Sequence, residues 1–201
     1  AHTKETQDTI SPAMALQFLK EGNSRFINNL KINRNLLEMV NDTRDGQFPF
    51  ASILSCSDSR TSAELVFYQG LGDIFSVRLA GNVASQFAVG SLEFACKYLG
   101  SKIIVVLGHT QCGAIKGACD NFQDGNITPL LAQITPAVDM ETTTKEQRHS
   151  KNHDFVHKVM LKNVELQIKN IYVLSTILTE MKKQGKIDIV GGIYNVGTGV
   201  V

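Results

Sequence analysis

Tryptophan is absent from this chain of 201 residues, so ten phenylalanines and the aliphatic residues must supply its large core side chains. No run of apolar residues approaches the roughly 18 that a membrane-spanning helix needs. The longest, residues 103–107, has the length of a strand. The formal net charge is +1, without a basic block or an acidic tail, which does not favour binding to nucleic acid or to an anionic membrane. We therefore expect a globular protein with no nucleic-acid partner and no membrane partner.

Cysteine is also scarce, and four cysteines in a chain of this length do not make a disulfide scaffold. Cys96 lies in apolar sequence and is expected to be a buried small hydrophobe. The chain begins at Ala1 rather than at a methionine. From that we expect a removed export signal and a periplasmic location, with a truncated N-terminus and a cytoplasmic location as the alternative.

Short apolar runs alternate with helix-like stretches along most of the chain. Because hydrophobicity within these runs is continuous, we expect strands that are covered on both faces, as in a parallel sheet. Residues 1–201 are therefore predicted to form a single α/β domain, with a central, mostly parallel β-sheet flanked by helices. Residues 1–10 are predicted to be a loose arm, and helices over about residues 11–40 are predicted to begin at Ser11 and Pro12. Strands are predicted at residues 50–54, 74–77, 102–107 and 187–194, and helices at residues 63–68, 84–99 and about 153–183.

Two motifs carry side chains that are suited to binding a metal ion. Cys56 follows the first predicted strand, and His109 and Cys112 follow the third. Because the carboxyl ends of parallel strands form the ligand crevice of an α/β sheet, the two motifs can converge there. The spacing of His109 and Cys112 predicts that they share one face at the start of a helix. Two thiolates and one imidazole form a donor set with which a catalytic zinc ion keeps a fourth position open for water.

Asp58 and Arg60 follow the first of these ligands and are predicted to form an ion pair. Asp58 would orient a zinc-bound hydroxide, and a bidentate contact with Arg60 would keep the carboxylate ionised and off the metal. Taken singly, these residues also have simpler interpretations: a buried core cysteine, a structural histidine and a surface ion pair. The catalytic interpretation is favoured because all of them fall at strand ends of one sheet.

The two motifs, CSDSR at residues 56–60 and GHTQCGA at residues 108–114, resemble those of the β-class carbonic anhydrases. Similar stretches are QGLGDIFSVRLAGN at residues 69–82, GSLEFA at residues 90–95 and IVGGIY at residues 189–194, so the resemblance covers nearly the whole chain. It implies reversible hydration of CO2 to bicarbonate and a proton. It also implies one Zn2+ per subunit, held by Cys56, His109 and Cys112, with Asp58 and Arg60 as the orienting pair.

The same resemblance implies further site residues and an assembly. Gln47 matches a glutamine that donates a hydrogen bond to substrate. Phe75 and Val83, with Leu79 as a further candidate, would form the apolar wall that holds CO2, and Gly113 would join them in binding substrate. The implied assembly is a homodimer that often pairs further into a tetramer. Its active sites would lie at the subunit interface, and its N-terminal helical arm would pack on the dimer partner.

Two alternatives fit the same residues. A hydrolase of a CO2 analogue such as CS2 would use the same zinc site and differ at the entrance to the pocket. A non-catalytic zinc protein that serves as an assembly module would normally close its site with a fourth cysteine or histidine, so the open position argues against that interpretation.

Overall fold

A parallel sheet of four strands lies at the centre of the structure, a computed structural model that describes residues 1–201. The strands are β1 (Ala51–Ser55), β2 (Ile74–Arg78), β3 (Ile103–His109) and β4 (Asp188–Tyr194), in the order β2-β1-β3-β4. All three pairings are parallel. Every residue of the central strands β1 and β3 is buried, which explains their continuous hydrophobicity. The predicted parallel α/β sheet is confirmed.

Helices cover both faces of this sheet. Ile53 and Leu54 are successive residues of β1, so their side chains point to opposite faces. Ile53 packs in a cluster with Leu19 of the second helix, whereas Leu54 packs with Leu92 of the fifth. None of the helices is long and apolar enough to cross a membrane. The helices are α1 (Lys4–Asp8), α2 (Pro12–Ile27), α3 (Leu36–Thr43), α4 (Ala63–Val66), α5 (Gln86–Glu93), α6 (Gly113–Cys119), α7 (Ile127–Ala132), α8 (Thr135–Met140), α9 (His153–Leu174) and α10 (Thr176–Lys183).

The first ten residues are ordered against the sheet, which corrects the prediction of a loose arm over residues 1–10. They contain α1, whose first turn is capped by the side chain of Thr3. Gln7 is fully buried, and its Nε2 donates to the carbonyl oxygens of Pro49 and Leu99, both at 2.7 Å. This amide fixes the arm because it satisfies two backbone carbonyls that lie beside the amino ends of β1 and β3.

The N-terminal helix α2 begins as predicted, with the Ser11 hydroxyl accepting from the Met14 N–H at 3.1 Å and with Pro12 in the first turn. It continues through Gly22 without interruption. A Cβ at Gly22 would lie 1.7 Å from the carbonyl oxygen of Phe67, so glycine permits close packing there. The helix expected over residues 153–183 is instead two helices, because Ser175 is extended and caps α10 through its hydroxyl.

Candidate metal centre

The structure brings the three predicted metal ligands together at the carboxyl edge of the sheet. Cys56 follows the last residue of β1, and His109 is the last residue of the neighbouring strand β3. Cys112 immediately precedes α6. All three are buried, and their ligand atoms lie within 4.8 Å of one another. A parallel register between adjacent strands is therefore enough to join donors that lie more than fifty residues apart in the chain.

His109 and Cys112 meet across a turn and not along one face of a helix, which corrects the prediction made from their spacing. His109 still belongs to β3, and α6 begins only after Cys112. Between them Gln111 has φ 57°, in the left-handed region that redirects a chain within one residue. The turn therefore brings the two donors together before the helix starts.

The imidazole of His109 is oriented for binding a metal ion. Its Nδ1 lies 2.8 Å from the carbonyl oxygen of Thr110. A carbonyl oxygen can only accept, so Nδ1 carries the hydrogen and Nε2 presents its lone pair. Nε2 is buried and has no hydrogen-bond partner in the chain. Because an unpartnered buried nitrogen is costly, this atom fits a metal ligand better than a structural histidine.

The two thiols are arranged so that one of them ionises readily. Cys56 Sγ accepts a hydrogen bond from the Gly81 N–H at 3.3 Å. The pKa of Cys56 is lowered because Cys112 donates to it, with backbone N–H groups adding to the effect. The pKa of Cys112 is raised because its proton is held by Cys56 and because its thiolate would be buried beside another. A bound divalent cation would remove that conflict and allow both thiols to ionise.

These donors fit zinc. Two cysteine sulfurs and one histidine nitrogen match the soft and borderline ligands that zinc prefers. The group contains no fourth histidine, cysteine or carboxylate ligand. A zinc ion held there would keep one coordination position free, which is the arrangement of catalytic sites and not of closed structural sites.

Asp58 and Arg60 form the predicted ion pair beside this group. Arg60 Nε donates to Asp58 Oδ1 at 2.9 Å and Arg60 Nη2 donates to Oδ2 at 2.7 Å, and the Arg60 backbone N–H also reaches Oδ1 at 2.9 Å. The guanidinium holds the pKa of the Asp58 carboxyl well below its usual range. Asp58 Oδ2 lies 3.8 Å from His109 Nε2, so the ionised carboxylate borders the metal-binding side of the imidazole.

Sequence reasoning missed three residues that shape this centre. Arg78, the last residue of β2, donates to the carbonyl oxygens of Cys56 and Asp58, at 3.1 and 2.7 Å. Thr61 donates its hydroxyl to the same two carbonyls, and Gly81 donates to the Cys56 sulfur. Arg78 and Gly81 belong to the segment at residues 69–82 whose likeness to the family was visible, but neither spacing nor composition indicates their contacts.

Among the predicted substrate-binding residues, Val83 and Gly113 lie at the metal centre, whereas Leu79 lies beside α5. Val83 is buried in a cluster with Cys56 and Cys112, and Gly113 begins α6 directly after Cys112 with open space beside it. Leu79 packs at the edge of a different cluster, which contains Val89 and other residues of α5.

Gln47 and Phe75 are not brought to the metal centre of their own chain. Gln47 is exposed and lies before β1, whereas Cys56 lies after it, so the length of this strand, about 17 Å, separates the two residues. Phe75 pairs with Ser52, four residues before Cys56, and its ring lies 6.3 Å from that of Phe94 in a surface groove.

Comparisons with known proteins agree with the geometry. The sequence model of the family described as carbonic anhydrase matches residues 51–201. The chain is 30% identical over 197 residues to a carbonic anhydrase of Mycolicibacterium smegmatis, covering 95% of this chain and 92% of the relative. It is 32% identical over 195 residues to carbonic anhydrase 2 of Mycobacterium tuberculosis, covering 94% and 91%. Among solved structures, a Coccomyxa β-carbonic anhydrase in complex with acetazolamide superposes with a TM-score of 0.72 at 26% identity, covering 80% of this chain and 73% of that one.

Proposed function

This chain belongs to the β-class carbonic anhydrase family, and on that basis we propose that it hydrates CO2 reversibly to bicarbonate and a proton, with one zinc ion per subunit. The observation that carries the proposal is the buried cluster of Cys56, His109 and Cys112, in which His109 Nε2 is left without a partner beside an ionised carboxylate. Zinc bound there would lower the pKa of a water molecule toward neutrality and so supply the nucleophile for CO2.

The residues around the cluster have separate tasks in this proposal. Asp58 accepts a hydrogen bond from the nucleophile and so aims its lone pair at the carbon of CO2. Arg60 occupies both carboxylate oxygens of Asp58, which keeps Asp58 ionised and turned away from the metal. Val83 offers an apolar wall to a substrate that has little capacity for hydrogen bonding.

We further propose that a second copy of the chain completes each site. Gln47 and Phe75 lie too far from the metal centre of their own chain to bind its substrate, and both are accessible from outside the chain, as residues contributed to a partner's centre must be. The groove beside Phe75 is rich in apolar side chains, among them Phe87, which is 85% exposed. Such an exposed apolar surface on a single chain is typical of a subunit interface. Further pairing of dimers into a tetramer stays a prediction.

Stopped-flow CO2 hydration tests the catalytic proposal. We expect activity in the purified protein, its loss when a chelator removes the metal, and its return when zinc is added. The chelated protein must stay folded by circular dichroism, so that the loss reflects the metal and not the fold. A folded, zinc-loaded sample that fails to hydrate CO2 between pH 7 and about 9, where zinc-bound water is ionised, would contradict the proposal.

The assembly proposal is tested with Phe87→Asp, which places a charge in the groove. We expect this variant to become monomeric in analytical ultracentrifugation and to lose CO2 hydration while it keeps bound zinc. Phe122→Asp is the matched control, because Phe122 is 51% exposed on the loop after α6, outside the groove. A monomeric Phe87→Asp protein with full activity would show that one chain suffices.

A further inference from the structure

A pair of buried amides on α9 lies next to the metal centre. Asn163 and Gln167 are 1% and 0% exposed. Their spacing of four residues places them on the same face of the helix, and Gln167 Nε2 donates to Asn163 Oδ1 at 2.9 Å. Neighbouring side chains of α9, including Val164 and Leu166, belong to the apolar core. Burying an amide costs free energy unless it is hydrogen-bonded, so the hydrogen-bond partners of these two side chains indicate their role.

Both amides hold the short segment between β2 and α5. Asn163 Nδ2 donates to the carbonyl oxygen of Gly81 at 2.9 Å. Gln167 Oε1 accepts from the Ala84 N–H at 2.9 Å. The segment is therefore fixed at two points three residues apart. Within it lies Val83, which packs with Cys56.

Gly81 is the point at which this segment touches a metal ligand. Its N–H is the group that donates to Cys56 Sγ at 3.3 Å, and its C=O is the group that Asn163 holds. The two groups flank one Cα whose φ and ψ are less restricted than those of any other residue type. Because the residue type itself fixes neither angle, a contact that holds the Gly81 carbonyl removes part of this freedom and so narrows the directions open to its N–H.

We propose that Asn163 and Gln167 are positioning residues for the metal centre, which hold the Gly81 N–H on the Cys56 sulfur and so tune the charge that this thiolate donates to zinc. The inference rests on the proposed function, because it needs zinc at the three ligands. A hydrogen bond from an N–H group withdraws charge from a thiolate and fixes its orientation. Loss of an outer partner of this kind typically lowers metal affinity by about 10- to 100-fold.

Asn163→Leu tests the proposal, since it removes the donor to Gly81 and keeps a side chain of similar size. Asn23→Leu is the matched control. Asn23 is also buried, 6% exposed, and its amide donates to the carbonyl oxygens of Val66 and Gly199. The two substitutions remove the same kind of buried amide, but only one of these amides reaches the metal centre.

Two readouts separate a positioning role from a structural one. In competition with a chromogenic chelator, we expect zinc affinity to fall by about 10- to 100-fold in Asn163→Leu and to stay at the wild-type value in Asn23→Leu. In cobalt-substituted protein, we expect the thiolate-to-Co(II) charge-transfer band to move to lower energy in Asn163→Leu alone, because the sulfur becomes richer in charge. Gln167→Met should move the band in the same direction by less, since Asn163 can still donate to Gly81.

Gln167→Met also serves as the second variant if Asn163→Leu does not fold. Wild-type zinc affinity and an unmoved band in a folded variant, with a stability loss like that of Asn23→Leu, would overturn the inference and leave the amides a structural role. Wild-type protein that binds Co(II) without a thiolate charge-transfer band would overturn the proposed zinc site as well, so the two failures are distinguishable.

Discussion

Replacing Gly81 by alanine should lower the free energy of unfolding through two separate physical effects. Gly81 has φ 69°, a left-handed conformation in which a residue with a Cβ costs about 1–2 kcal/mol. An added Cβ would also lie 2.4 Å from Cδ1 of Ile134, which is fully buried. Overpacking of that kind costs about 1–3 kcal/mol. We therefore expect Gly81→Ala to lower the free energy of unfolding by about 2–5 kcal/mol, the sum of the two effects.

Gly185→Ala is the control that isolates the backbone effect. Gly185 also has φ 69°, but nothing lies within 4 Å of its added Cβ, so the expected loss is only about 1–2 kcal/mol. The clash at Gly81 is isolated by Ile134→Val, which removes the Cδ1 methyl and leaves Ala114 Cβ as the nearest atom, at 3.3 Å. The double variant should then be more stable than the sum of the single losses predicts, by about 1–3 kcal/mol.

Urea unfolding followed by circular dichroism measures all four variants. The protein should be metal-free and at one fixed concentration, because bound zinc or subunit association would stabilise the folded state by mass action. Equal losses for Gly81→Ala and Gly185→Ala would refute the steric part of the reasoning. Strict additivity of Gly81→Ala and Ile134→Val would refute the assignment of the clash to that isoleucine.

Three further predictions concern the metal centre and the fold. Arg60→Ala should slow CO2 hydration by about 10- to 100-fold in stopped flow, because the carboxylate loses the donors that turn it away and can replace the water on zinc. A crystal structure of the zinc-loaded variant should show an Asp58 oxygen in place of that water, and an intact water ligand would contradict this. Lys162→Ala, which breaks an exposed ion pair elsewhere, should change neither readout. Elemental analysis should find no stoichiometric zinc in Cys112→Ser but one zinc per chain in Cys96→Ser, since Cys112 belongs to the ligand cluster and Cys96 does not. Equal zinc content in the two variants would exclude Cys112 as a ligand. Hydrogen bonds from the following threonines lower the pKa of Glu141 to about 2, so its contribution to stability is complete above the ordinary value near 4.5 and is lost as pH falls toward 2. In urea unfolding, the free energy of unfolding of the wild type should exceed that of Glu141→Gln by less and less as pH falls through this window. A difference that stays constant would count against the assignment.

The central strands and the ligand set could be predicted from the sequence because each depends on local pattern plus one general rule. Continuous apolar runs identify β1 and β3, since strands buried on both faces need no polar side. Cys56 and His109 follow from the rule that parallel strands present their carboxyl ends at one edge. Neither prediction required knowledge of how the helices pack.

The contacts that the sequence could not show are those between distant backbone and side-chain groups. The hydrogen bond from Asn163 to Gly81 joins residues 82 positions apart, and the bond from Gln7 to Leu99 joins residues 92 apart. A buried asparagine or glutamine has no periodicity that distinguishes it from an exposed one. The role of such an amide depends on which backbone carbonyl lies opposite it after packing. For this reason the sequence shows neither that Gln7 holds residues 1–10 in place nor that Asn163 contacts Gly81.

The arginines explain how a carboxylate can border a metal centre without closing it. Asp58 Oδ2 lies only 3.8 Å from His109 Nε2, a position from which a free carboxylate could turn and become a fourth zinc ligand. Arg60 occupies both oxygens of that carboxylate, while Arg78 holds the Asp58 carbonyl at 2.7 Å and so limits the backbone as well. If zinc binds at the three ligands, the distinction between a catalytic and a closed structural site would therefore depend on two residues that are not among those ligands. That dependence is why the three ligands alone, read from a sequence, do not establish an open site.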